Sequence, residues 1–397
     1  MKFENSARDA VVVLAHRTAI GRGKKGALAL TRPDDLLASL LRSMGEKMTA
    51  LGVGLDTVED VLVGCAMPEG EQGLNVARIA ALAAGFPDTV SAATVNRFCS
   101  SGVESIAQAA AKIAAGHADV LLAGGVESMT MIPMTGVKPS MSPDIADRVP
   151  DVYIPMGITA ENVASRFGVS RAEQDAFALR SHQKATQAVE RRAFDAEIVP
   201  VQAVGFDKDG NHKDQVFARD ELIRPDTTLE ALGALKPAFI PQGGSVTAGN
   251  SSPVSDGAAM SLVMARAVAE KLGLAPVATL RGYATAGVDP AIMGIGPVPA
   301  IRKLLGRHGG AVGEIDVFEV NEAFASQAIY CQRELGITDA QLNPNGGAIA
   351  LGHPLGATGA RMTATLLHEL GRRGGRFGVV SMCIGGGMGA AALYERA

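Results

Sequence analysis

The chain has 397 residues, 47% of them hydrophobic, with no tryptophan, 4% aromatic residues and a net charge of −4. That length allows two or three domains or one large α/β unit, with a core resting on Ala, Val, Leu and Ile. The acidic balance argues against a nucleic-acid partner, and no apolar run reaches membrane-spanning length.

Short apolar runs alternate with helical patterns. Residues 10–15, 60–66, 91–96 and 119–124 read as buried strands. Leu36, Leu37, Leu40, Leu41, Met44 and Met48 recur at helical spacing after a Pro33-Asp34-Asp35 first turn. Alanine-rich helices fill 75–84 and 102–116. The region 126–252 breaks the alternation with Met, Pro and charge, and reads as an inserted loop domain. It contains a helix at 171–193 with Ser170 and Glu173 as a capping box. The last third repeats the first: a helix from Pro297, a strand at 315–320, helices at 322–335 and 356–372, and a strand at 376–382. Asp60-Val61 matches Asp316-Val317 and Val120 matches Val379, offsets of 256 and 259 that predict a duplicated fold.

Three glycine-rich turns carry the chemistry. Cys99, in Val-Asn-Arg-Phe-Cys-Ser-Ser-Gly, follows a strand and opens a helix, where amide N–H groups favour a thiolate, with Arg97 close by. His353, in Gly-His-Pro-Leu-Gly-Ala-Thr-Gly-Ala-Arg, is the one histidine of seven in such a turn and has the chemistry of a base. Cys383, in Met-Cys-Ile-Gly-Gly-Gly-Met-Gly, is a thiol able to exchange a proton beside free backbone amides. Cys65 and Cys331 read as core residues, and no cysteine pair has metal-ligand or CxxC spacing, which fits a reducing compartment. Asn321, after a buried strand, either orients a ligand or caps a helix. Thr247-Ala248-Gly249-Asn250-Ser251-Ser252 is a polar turn able to meet a ligand amide. The N-terminus has no apolar signal core and Glu395-Arg396-Ala397 is not a peroxisomal address, so the expected location is the cytoplasm.

With Gly-Gly-Val-Glu-Ser-Met (124–129), Ile-Pro-Met-Gly-Ile-Thr-Ala-Glu-Asn-Val-Ala (154–164) and Asn-Glu-Ala-Phe-Ala (321–325), these motifs resemble the thiolases, in family order over almost the whole chain. The resemblance implies an α/β thiolase fold: two duplicated βαβαβαββ halves in a five-layered αβαβα core, with an inserted loop domain. The halves would be 1–125 with 253–275, and 276–397; the insertion would be 126–252. It implies Cys99 as the acyl-carrying nucleophile and His353 as its activator. Asn321 would hold a water in the oxyanion hole, and Cys383 would be the general acid and base. The amides of Cys99 and Gly385 would form a second oxyanion hole. Arg224 and Ser252 match coenzyme A contacts, and Met156 and Phe324 would line the acyl and pantetheine channel.

Pro155-Met156-Gly157 stands where acetoacetyl-CoA enzymes typically carry His-Met-Gly, which favours a degradative 3-ketoacyl-CoA thiolase. The alternatives are an acetoacetyl-CoA thiolase, a ketoacyl synthase or a non-catalytic sterol-carrier-type homologue. The implied partners are acyl-CoA and coenzyme A as substrates, with no metal or redox cofactor. A second copy or more of the chain is also implied, through the loop domain in a tetramer, and a β-oxidation hydratase/dehydrogenase subunit is compatible.

Overall fold

The computed structural model describes residues 1–206, 209–211 and 213–397. The first half runs β1 (Ala10–Arg17), β2 (Gly21–Arg22), α1 (Pro33–Ala50), β3 (Asp60–Gly64), α2 (Val76–Ala83), β4 (Ser91–Val95), α3 (Ser101–Ala114) and β5 (Val120–Ser128). The insertion follows with α4 (Pro143–Arg148), α5 (Met156–Arg166), α6 (Arg171–Glu190), β6 (Val201–Ala203), β7 (Gln215–Phe217) and α7 (Leu229–Gly233). The chain returns through β8 (Ser255–Ala265) and α8 (Arg266–Lys271). The second half is β9 (Ala278–Gly287), α9 (Pro297–Arg307), β10 (Val317–Val320), α10 (Ala325–Leu335), α11 (Ala348–Leu351), α12 (Leu355–Arg373), β11 (Phe377–Ile384) and β12 (Met388–Arg396).

The strand orders reveal the duplication. The first half pairs β1-β8-β5-β3-β4 and the second β9-β12-β11-β10. In each, the first two pairings are antiparallel and the next is parallel. The place of β4 in the second half is held by a parallel bridge between Phe318 and Leu342. The two sheets join where Val11 and Val12 of β1 meet Thr279 and Ala278 of β9. Register corrects one expected equivalence. Val61 pairs with Leu122 and Val317 with Gly378, so 378 minus 122 gives 256, the offset of β3 and β10. Val120 therefore corresponds to Arg376, not Val379.

Strand alternation builds the layers. Val120, Leu122 and Val126 of β5 and Met260 and Leu262 of β8 face α1 and α2. Leu121 and Ala123 of β5 face the opposite way, toward α3 and α12, which also receive Val380 and Met382 of β11. Val379 of β11 and Leu393 of β12 point outward onto α9 and α10. The result is five layers, with α3 and α12 between the sheets. In α1 the six apolar residues at helical spacing are all buried, each stabilising by about 1.5–3 kcal/mol.

The insertion begins later than residue 126. Val126, Glu127 and Ser128 still pair with Ala258, Gly257 and Asp256, so β5 continues through that boundary. The helix at its centre, α6, opens with the Ser170–Glu173 capping box and ends at Glu190, a turn earlier than the sequence reading.

Candidate active site

The nucleophile turn and the histidine turn are matched. Cys99 lies two residues before α3, and His353 two residues before α12. The two helix starts approach closely. A Cβ at Gly102 would lie 2.8 Å from the Gly356 carbonyl oxygen, and one at Gly359 would lie 2.4 Å from the Val103 nitrogen. Any larger residue would push the turns apart. Gly352 takes φ +94°, a conformation L side chains rarely adopt, to aim His353 inward. Phe98 holds φ +44° and turns the chain sharply just before Cys99.

His353 is buried and fixed at both ring nitrogens. Its Nδ1 lies 2.6 Å from Thr358 Oγ1, and its Nε2 3.2 Å from Asn321 Nδ2. The Thr358 hydroxyl donates to the Pro354 carbonyl at 2.8 Å, so it accepts from Nδ1–H. The proton therefore sits on Nδ1, and Nε2 presents a lone pair to the Asn321 amide. Asn321 is set by its backbone N–H bond to Ser381 O at 2.9 Å, an extension of the β10–β11 pairing. Its Oδ1 is buried without a protein partner among the described residues.

The thiols complete the cluster. The Gly385 amide, from the turn after β11, lies near enough to Cys99 to favour its thiolate. Cys383, fully buried on β11, lies close enough to Cys99 for a negative charge there to oppose its own. Burial pushes the Cys99 thiol up to about 11, against the pull of the Gly385 amide and its own. Burial first, then the other thiols, also raises Cys383. Burial, then the Arg361 charge, holds His353 down to about 3. The resting pair is thus thiol and neutral imidazole. Desolvation outweighs the helix-start amides, so the thiol needs the base that the sequence reading assigns to His353. Arg97 does not assist: its guanidinium pairs with Glu104, with Nε 2.7 Å from Oε2.

Met156 starts α5, with its sulfur 3.4 Å from where a Gly385 Cβ would stand. Phe324 caps α10 and packs edge-on to Phe239 at 6.1 Å. Both belong to the apolar cluster around Cys383 and Met293. Ser251 pairs with Phe324 across an isolated bridge and also lines a cavity of about 210 Å³ with His182, Arg224, Asp226, Thr227 and Gly249. Arg224 therefore sits at this cavity. Ser252 stands beside it, with its hydroxyl donating to Ala323 O at 3.1 Å. Asn250 serves the turn internally, bonding Thr247 N and Asp175. His182, Thr358 and Arg361 went unmarked in the sequence. Each lies on a helix, where nothing local separates it from an ordinary buried or surface side chain.

A family model described as thiolase, N-terminal domain, matches residues 10–267, and one described as thiolase, C-terminal domain, matches 274–396. The 3-ketoacyl-CoA thiolase of Bacillus subtilis (strain 168) is 51% identical over 394 residues, 98% of this chain and 99% of that one. The peroxisomal 3-ketoacyl-CoA thiolase 2 of Arabidopsis thaliana is 50% identical over 98% of this chain and 84% of its own length. The dimeric peroxisomal thiolase of Saccharomyces cerevisiae superposes with a TM-score of 0.89 at 43% identity, covering 99% of both chains. The Bacillus anthracis acetyl-CoA acetyltransferase gives 0.88 at 41%, over 98% of this chain and 99% of that one.

Proposed function

The chain belongs to the thiolase family, and we infer that it is a 3-ketoacyl-CoA thiolase, an acyltransferase of fatty-acid β-oxidation. It cleaves 3-ketoacyl-CoA with coenzyme A to acetyl-CoA and a shortened acyl-CoA. The observation that carries this reading is the close approach of the Cys99 and His353 turns, with Cys383 beside Cys99 and the His353 ring fixed by Thr358 and Asn321. About half-identity over the full length to 3-ketoacyl-CoA thiolases supports the degradative direction. The fold alone does not, since an acetyl-CoA acetyltransferase superposes as well as a peroxisomal thiolase.

His353 Nε2 gives up the Asn321 amide and takes the Cys99 proton, and the thiolate attacks the 3-keto carbon. The bond between C2 and C3 breaks, and its electron pair passes to the acetyl-CoA enolate. Cys383 protonates that carbon, and acetyl-CoA leaves. Coenzyme A then enters, Cys383 removes its thiol proton, and the new thiolate displaces Cys99 from the acyl group. The imidazolium returns its proton to Cys99. His353 and a water on Asn321 hold the thioester oxygen, and the amides of Cys99 and Gly385 hold the oxygen of the tetrahedral intermediate. Kinetics are ping-pong. Arg224 and the cavity beside it take coenzyme A, with Ser252 next to it; Met156 and Phe324 flank the acyl and pantetheine channel. No metal or redox group enters the scheme.

The same proposal includes a cytoplasmic location and a homodimer or homotetramer. Strand β4 ends its sheet, and nearby Leu74 is 94% exposed, an apolar surface suited to a second copy. A β-oxidation hydratase/dehydrogenase subunit remains a compatible partner. The test is coenzyme A-dependent thiolysis across 3-ketoacyl chain lengths. Activity that holds or rises with length is expected, with Pro155, at the N-cap of α5, as a specificity marker. Activity confined to acetoacetyl-CoA would overturn the degradative reading.

A further inference from the structure

Beneath the His353–Asn321 pair lies a second polar pair that no step above uses. Arg361 stands three residues beyond Thr358 on α12, so helical spacing places it on the face that holds His353 Nδ1. Glu319 stands two residues before Asn321, so strand alternation points both side chains the same way. Arg361 Nη1 lies 3.9 Å from Glu319 Oε2, and each side chain is 1% exposed. None of the three guanidinium nitrogens has a hydrogen-bond partner among the described residues. A buried cation with no hydrogen bond is costly, and packing alone gives no reason to keep one here.

We propose that Arg361, set beside Glu319, is a positioning residue that keeps His353 neutral and its Nε2 lone pair available to the Cys99 proton. The inference rests on the reading of His353 as the base.

After burial, Arg361 is the charge that opposes protonation of His353. Burial pushes Glu319 up to about 8, so near neutrality it cancels that field only in part. The other charged groups packed against α12 are paired; the Arg17, Glu197 and Asp220 set also acts on Arg361, and Glu322 acts on Glu319. Arg17 on β1 pairs with Glu197 and Asp220. Glu127 on β5 accepts from Ala66, Gln72 and Gly356. Asp256 on β8 accepts from Ser128 and Thr130, and Glu104 on α3 pairs with Arg97. Tyr394 on β12 meets Thr363. The thiols of Cys99 and Cys383 are uncharged at rest. On α12 itself, Glu369 pairs with Arg372 and Arg373 at the far end, and His368 meets Ala15 O.

The test compares Arg361→Lys with Arg361→Gln. The rate of Cys99 acylation by acetyl-CoA is read by quenched mass spectrometry after brief pH jumps to between about pH 3 and 7. Lys keeps the charge; Gln keeps amide hydrogen bonding without it. Removing a like charge raises the His353 pKa, so the lone pair is lost at higher pH. The Arg361→Gln acid limb should move up from about 3 by about one pH unit, a roughly fivefold relative loss at pH 3 that vanishes above about pH 6. Arg361→Lys should follow the unchanged protein. A merely structural role predicts equal, pH-independent losses in both, and that result, or an unmoved limb in Arg361→Gln, overturns the proposal. If Arg361→Gln does not fold, the double replacement Arg361→Leu with Glu319→Leu removes the buried pair together and must show the same shift. Failure of the unchanged protein to acylate Cys99 would instead overturn the proposed function.

Discussion

Thr358→Val tests whether one hydroxyl decides which nitrogen of His353 is the base. Valine matches threonine in shape but cannot accept from Nδ1–H, which lies 2.6 Å from Thr358 Oγ1 in a fully buried setting. Leaving that N–H unpaired costs about 1–3 kcal/mol. The alternative tautomer avoids this by carrying its proton on Nε2, with the Asn321 amide turned so that Oδ1 accepts it. The form with a free Nε2 lone pair then falls by roughly 5- to 150-fold, and the acylation rate falls with it. Thr358→Ser, which keeps the hydroxyl, should stay near the native rate. Single-turnover acylation by acetyl-CoA, followed by mass, gives the rate, and thermal unfolding confirms a folded protein. A folded Thr358→Val that acylates at the native rate would refute the tautomer assignment.

Cys99→Ala should form no acyl-enzyme, whereas Cys383→Ala should acylate slowly yet fail to make or break the carbon–carbon bond; full thiolysis by Cys99→Ala would sink the assignment. Arg224→Met should raise KM for coenzyme A roughly tenfold with kcat little changed, so an unaltered KM would remove Arg224 from the cavity's role. His16, held down to about 4 by burial and then by Lys47 and His368, should make the protein acid-sensitive. Its folded pKa lies below the unfolded value of about 6.5, so its stability is intact above that value and falls as pH drops toward 4. At pH 5 the loss is about 2 kcal/mol. His16→Gln should lose less stability between pH 7 and 5 in urea titrations, with about one proton fewer taken up on unfolding. Identical slopes for the two proteins would contradict it.

The parts legible in the sequence are those where one local constraint has one solution. Cys99, His353 and Cys383 stand beside glycines because backbones must meet closely there, and those glycines mark the turns before any fold is known. The long helices α1 and α6 are readable, α1 from its apolar spacing and α6 from its capping box. Strands β8 and β12 were harder: Gly257-Ala258-Ala259 and Gly389-Ala390-Ala391-Ala392 carry little β-propensity, and burial on both faces removes alternation. The helix-start amides beside Cys99 are visible in sequence, whereas the enclosing layers that desolvate the thiol are not. Arg97 misled for a similar reason, since Glu104 sits one helical turn into α3 and claims it.

Duplication also explains why the site is asymmetric. The shared offset makes Cys383 the counterpart of Glu127, and Asn321 the counterpart of Cys65. Glu127 spends its carboxylate on the amides of Ala66 and Gly356, so the first half's position clamps the start of α12 and offers nothing to a ligand. At the matching place in the second half, a thiol cannot capture amides in this way. The Gly385 N–H instead meets Cys99, and the Asn321 side chain meets His353. One copy therefore holds the helix that positions the histidine, while the other leaves its donors and its thiol facing the nucleophile. A carboxylate at 383 would seize those donors and add a negative charge beside Cys99, opposing the thiolate that acyl transfer requires.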